Sequence, residues 1–90
     1  MSHLEKEFLS IKRTISFTNM FEEIKTSGKL SAEELKKLED IWNFTMDGKH
    51  WMDPDLSQCC RVAEKAVKEN YDLSDEFIRT IVNIAAFQWK

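Results

Sequence analysis

Apolar residues at Leu4, Phe8, Ile11 and Ile15 recur at intervals of four and three, which lays one stripe along an α-helix. Ser2, followed three positions later by Glu5, is a capping-box signal, so a first helix is predicted over about residues 3–14. The run Thr14-Ile15-Ser16-Phe17-Thr18 is poor in helix formers. Thr18 is placed to cap a second segment carrying Phe21 and Ile24, over about 18–27. A break or kink near 14–18 is expected, with one continuous helix as the alternative. The clearest start follows: Ser31 as N-cap, Glu34 as its reciprocal partner, and Leu30 and Leu35 as a hydrophobic staple. That third helix, about 32–47, carries Leu35, Leu38, Ile41, Trp42 and Met46 inward. It is expected to end at Asp47-Gly48, with the glycine in the left-handed closing conformation.

After Lys49-His50-Trp51-Met52, Asp53 as N-cap and Pro54 at the first helical position predict a fourth helix over about 54–70. Its stripe is Leu56, Cys59 or Cys60, Ala63 and Val67, and Glu64–Lys68 and Lys65–Glu69 are i,i+4 pairs on the solvated side. Ser74 caps a fifth helix over about 75–89, with Asp75 and Glu76 in its first turn and Leu73 stapled to Ile78. Apolar positions from Phe77 to Trp89 cover most of its circumference, leaving Arg79, Thr80, Asn83 and Gln88 as the polar remainder. A helix apolar nearly all round is buried by its neighbours or by another chain. The pattern predicts an all-α, compact four- to five-helix bundle in a single domain. Its expected core is Phe8, Ile11, Phe21, Leu35, Leu38, Trp42, Val67, Ile78, Ile81, Val82 and Ala85.

Composition narrows the function classes. Ninety residues suffice for one core, and 42% hydrophobic with 32% charged residues and only two Gly and one Pro excludes a disordered or low-complexity chain. A net charge of −3 supplies no global positive field, so direct nucleic-acid binding and attachment to an anionic membrane are not expected. The first residues lack the basic start and apolar run of a secretory signal. Cys59 and Cys60, adjacent on a helix, are poorly placed to bond each other, so a cytoplasmic protein with reduced thiols is expected. Charge is uneven: residues 31–58 hold seven Asp and Glu against three Lys, a local −4. A basic partner would be steered toward this stretch.

Candidate chemistry is sparse. His50, Cys59, Cys60, Asp53 and Asp55 include metal-ligating types, but adjacent cysteines lack the spacing of a structural zinc site. A Cys–His nucleophile pair would need a third orienting group, and both cysteines lie about two turns inside their helix, where the dipole has faded. No cofactor, metal or enzymatic activity is expected. Trp42 is expected in the core. Trp51, beside His50, either plugs one end of the bundle or contacts a partner. Phe87 and Trp89, near the C-terminus, are candidate contacts for a partner or a second copy.

From Phe8 to Leu35, the residues Phe8-Leu9, Lys12-Arg13, Met20-Phe21-Glu22, Leu30-Ser31 and Glu34-Leu35 resemble the first half of the small Hha/YmoA-type nucleoid-associated modulators. The resemblance implies a helical protein that acts by binding an H-NS-like DNA-binding partner. It covers under a third of the chain and stops after Leu35, where Asp47-Gly48 ends a helix that continues in that family.

The function expected from these features is stoichiometric protein binding, as by an inhibitor, immunity protein, adaptor or phage-type regulator. The candidate contacts are Glu33, Glu34, Glu39, Asp40, Asp47, His50, Trp51, Phe87 and Trp89. The alternatives are a homo-oligomeric structural module, possible as a homodimer through the final helix, and a transcription modulator acting through a DNA-binding partner. A metal- or thiol-dependent enzyme built on Cys59, Cys60 and His50 ranks behind both.

Overall fold

Ser2 and Ser31 each close a reciprocal capping box: the hydroxyl accepts the N–H of the glutamate three residues on, and that glutamate accepts the serine N–H. These two boxes start α1 (His3–Leu9) and α3 (Ala32–Thr45) of a computed structural model that describes residues 2–11 and 17–89, with the backbone alone described at 17 and 89. The other helices are α2 (Phe17–Ser27), α4 (Leu56–Asn70) and α5 (Asp75–Trp89), and a 3₁₀ turn spans Gly48–His50. The protein is an all-α bundle of five helices, with no strand among the described residues. None of these helices is long and apolar enough to cross a membrane.

Four boundaries differ from the pattern-based expectation; Thr18, expected as the cap of the second helix, is itself helical because α2 already includes Phe17. The first helix was expected to reach residue 14 but ends at Leu9. The Ser10 hydroxyl donates to the Glu7 carbonyl (2.7 Å), and the Ile11 N–H to the Phe8 carbonyl (3.2 Å), which tightens the last turn and closes it. Ile15, Lys12-Arg13 and most of the expected break at 14–18 lie outside the described residues. The fourth helix starts at Leu56 rather than residue 54. Asp53 accepts the Asp55 N–H (2.8 Å), and Asp55, itself extended, accepts the Ser57 N–H (2.9 Å). Asp55 is therefore the N-cap, and Pro54 precedes the helix instead of opening it. The third helix stops at Thr45, and Gly48 opens the 3₁₀ turn without a left-handed φ. The left-handed glycine is Gly28, at φ +69° after α2.

The strongly apolar α5 is the axis of the bundle. It packs against α4, α3 and α1, which bury Phe77, Ile78, Ile81, Val82, Ile84 and Ala85 from different sides. These six positions of its apolar circumference are thereby covered within the chain, while Phe87 stays half exposed. Around it sit Phe8 of α1, Leu38 and Ile41 of α3, and Cys59, Ala63 and Val67 of α4. The Phe8 and Phe77 rings meet at 5.0 Å between centroids, tilted by 56°. Met20 and Ile24 carry the buried face of α2. Ile11, Phe21, Leu35 and Trp42, expected in the core, are only partly buried against it.

Glu5 ties the two ends of this arrangement together. It is 3% exposed, yet both carboxylate oxygens are engaged. One accepts the N–H and hydroxyl of Ser2 (2.9 and 2.8 Å), and the other accepts the N–H of Ser74 (2.6 Å), 69 positions away in sequence. Ser74 caps α5 by accepting the Phe77 N–H (3.2 Å). The residue three positions after Ser74 is Phe77, which has no acceptor to return to the Ser74 N–H, and Glu5 supplies it from α1. Burial opposes the charged form of Glu5, but the Ser74 and Ser2 hydrogen bonds outweigh it and bring the carboxyl down to about 2.

Because the folded-state value lies below the ordinary value of 4.5, the contribution of Glu5 is fully present above about pH 4.5 and is lost as the pH falls toward 2. Glu5→Gln is expected to lower stability at pH 7 by about 3 kcal/mol and to flatten the stability profile between those pH values, as read by urea unfolding. At the glycines, Gly28→Ala is expected to cost about 1 kcal/mol because an alanine there must hold a left-handed φ. Gly48→Ala, with open space and an ordinary φ, should stay within about 0.5 kcal/mol in the same assay.

Candidate functional site

The acidic residues counted along 31–58 separate into two groups once their partners are placed. Glu34 accepts the Ser31 N–H (2.9 Å) and meets His3 Nδ1 (3.2 Å). Its carboxyl is held below the ordinary value, first by the Ser31 N–H and then, against desolvation, by His3. Asp47 accepts the Lys49 N–H (3.1 Å) and faces the Lys49 ammonium at 3.8 Å. Asp53 and Asp55 accept backbone N–H groups at the start of α4. These four carboxylates close helix ends and turns.

Glu33, Glu39 and Asp40 have no such task; all three are exposed and enter no ion pair among the described residues. Glu33 and Asp40 share the outer side of α3 with Lys36 and Lys37, at intervals of three and four. The field of that side is close to balanced. Glu39 lies on the flank of α3 that turns toward α2.

Between α2 and α3 runs an open groove of about 370 Å³. Phe21, Glu22 and Lys25 line it from α2, and Glu39, Trp42 and Asn43 from α3. Phe21 and Trp42 are partly buried against the core, while Glu22, Lys25, Glu39 and Asn43 are exposed. Glu22 and Glu39 form no ion pair with any described residue, and with Lys25 the described lining carries a net charge of −1. The groove combines aromatic surface with carboxylates, the composition of a site for a cationic or amphipathic ligand. Phe21 and Trp42 follow the core periodicity of their helices, and Glu22, Lys25 and Asn43 carry no functional signal in the sequence. Nothing in the linear pattern puts residue 22 beside residue 39; that pairing requires the two helices to fold back on each other.

The other candidates are placed as follows. Trp51 is 9% exposed, and its indole N–H donates to the Thr45 carbonyl (2.8 Å). That carbonyl belongs to the last turn of α3, where no intrahelical donor remains. Trp51 therefore plugs the end of the bundle and closes a helix at the same time. His50 is buried at 5% exposure with its ring 5.1 Å from Phe44, and its Nδ1 has no hydrogen-bond partner among the described residues. Neither side chain offers much surface to a partner. Met52, beside them, is 82% exposed. Phe87 is half exposed on α5, and the Trp89 side chain lies outside the described residues.

The thiols are divided between interior and surface. The Cys59 thiol is buried and donates to the Asp53 carbonyl (3.2 Å), which fastens the 47–55 connection to α4. Cys60 is partly buried; burial, then Glu64 and Cys59, push its thiol up, away from the thiolate that nucleophilic chemistry uses. Among the described residues, no three of His, Cys, Asp and Glu converge where they could hold a metal ion.

Trp51→Phe retains most of the plug but removes the donor to the Thr45 carbonyl. It is expected to destabilise the protein by about 2 kcal/mol, measured by urea unfolding, without changing helical content by circular dichroism. No family model matches this chain, and no curated protein or solved structure does either.

Proposed function

We propose that this protein is a small binding module that acts stoichiometrically on a protein partner with a basic surface, through the α2/α3 groove and the acidic flank of α3 beside it. The observation that supports this reading is the groove itself. It places partly buried Phe21 and Trp42 beside two carboxylates, Glu22 and Glu39, that no described residue neutralises. Aromatic residues supply contact area at interfaces, and unpaired carboxylates steer an oppositely charged partner and fix its register. Glu33 and Asp40 extend the acidic surface along α3, diluted by Lys36 and Lys37. Glu34 and Asp47 take part in capping, and His50 and Trp51 in the interior, so the reading rests on none of these four.

The test is affinity capture from the lysate of the native host, comparing the wild type with a Glu22→Lys/Glu39→Lys double variant. Both positions are exposed, so the fold should survive, which circular dichroism checks. Basic proteins are expected to be retained by the wild type at low salt, released as salt rises, and reduced at least tenfold on the variant. Identical capture by both proteins at low salt overturns the proposal.

A further inference from the structure

We infer that α1 and α2 form a unit latched onto the bundle by Glu5, and that losing the Glu5 charge lets this pair open away while α3, α4 and α5 stay folded. The three later helices pack directly against one another and bring Leu38, Ile41, Ala63, Val67, Ile81 and Val82 to a shared core. The first two join them differently. α2 packs against α1 and faces α3 across the open groove, while α1 packs against α5, where the Phe8–Phe77 contact accompanies the Ser74 N–H bond to Glu5. After α2 the chain passes through Gly28, which is exposed, has open space around it and holds a φ of +69°. A glycine absorbs backbone rotation at low cost, so this turn is the hinge between the two units. The groove lies across their boundary, with Glu22 on one side and Glu39 on the other, and opening parts its walls.

Glu5 is the buried polar tie at that boundary. Its two oxygens face N–H donors of Ser2 (2.9 Å) and Ser74 (2.6 Å), and no cation pairs with it among the described residues. The other polar ties of α1 reach solvent: His3 meets Glu34 of α3 (3.2 Å), and Lys29 faces Glu7 (3.8 Å). Exposed pairs of this kind contribute little. The remaining charges around α1 are Glu23 of α2, which shares a cleft with Glu7, and Asp75 and Glu76 in the first turn of α5, with Lys68 of α4 paired to Asp75. None of these hydrogen-bonds Glu5. Protonation therefore puts a donor where both oxygens face donors, with no neighbouring charge to compensate. Burial opposes the Glu5 charge and the Ser74 and Ser2 hydrogen bonds outweigh it, bringing the carboxyl from 4.5 down to about 2. Opening returns Glu5 to water and its ordinary value, so opening takes up a proton and is favoured as the pH falls below about 4.5.

The test is hydrogen exchange on the intact protein, read amide by amide by NMR and corrected for the intrinsic pH dependence of exchange. α1 spans seven residues, too few to stay helical alone, so opening exposes its amides. In the wild type at pH 6, the Phe8 and Ile24 amides are expected to share one protection factor, at least about tenfold below that of Val67 and Val82. Between pH 6 and pH 3 that shared factor should fall about thirtyfold, as values of 4.5 and about 2 require. Glu5→Gln should lower it about a hundredfold at pH 6 and remove most of its further fall at pH 3, with Val67 and Val82 still the better protected. Equal protection in all five helices, a loss at Phe8 that Ile24 does not share, or a pH dependence that Glu5→Gln leaves intact would each overturn the latch. The wild-type pH series decides the matter if the variant fails to fold. No ligand enters the measurement, so the latch stands or falls independently of what binds the groove.

Discussion

One carboxylate holds the beginning of the chain against the beginning of its last helix. Glu5 completes the capping box of α1 and, with its other oxygen, supplies the acceptor that α5 lacks within its own sequence. Helix N-termini expose unsatisfied N–H groups and positive partial charge, so a buried anion shared by two of them is stabilised from both sides. The same geometry explains how a carboxylate at 3% exposure stays ionised: the hydrogen bonds it accepts outweigh the desolvation it suffers. With α1 placed there, Phe8 reaches Phe77, and Phe77 and Ile78 in the first turn of α5 are interior while Asp75 and Glu76 stay exposed.

Around this tie the bundle assigns its polar groups to helix ends. Glu34, Asp47, Asp53 and Asp55 accept backbone N–H groups, while Trp51 donates to the exposed end of α3. A short helical chain has many ends for its length, and each leaves backbone groups that must find partners. Much of what reads along the sequence as an acidic surface is therefore capping chemistry. Of the seven along 31–58, Glu33, Glu39 and Asp40 are left over, and Glu39 borders the same aromatic groove as Glu22.

The fold class was legible because it rests on local periodicity. Intervals of three and four at Leu35, Leu38 and Trp42, the Ser31/Glu34 box, and the Ser74 cap each depend on residues within one turn of each other. Where local signals competed, the structure chose. Asp53 and Asp55 are equally good caps by type, and Pro54 suits a helix start after Asp53, yet the Asp55 side chain takes the Ser57 N–H and α4 begins there. Trp51 could plug or protrude, and the unsatisfied Thr45 carbonyl decided for the plug. The candidate site was far less legible: Glu39 was named for its charge, but Glu22, Lys25 and Asn43 carry no signal of their own.

By itself, the sequence determined that the chain is helical, where most helices start, which faces are apolar and that α5 must be covered on nearly every side. These follow from hydrogen bonds and side-chain spacings that close within a few residues. Only the tertiary structure decided what covers α5, which second helix end Glu5 reaches, which acids are spent on caps and which two helices enclose a groove. Each of those joins residues far apart in the chain, and no local propensity specifies a contact between Glu5 and Ser74 or a shared border for Glu22 and Glu39.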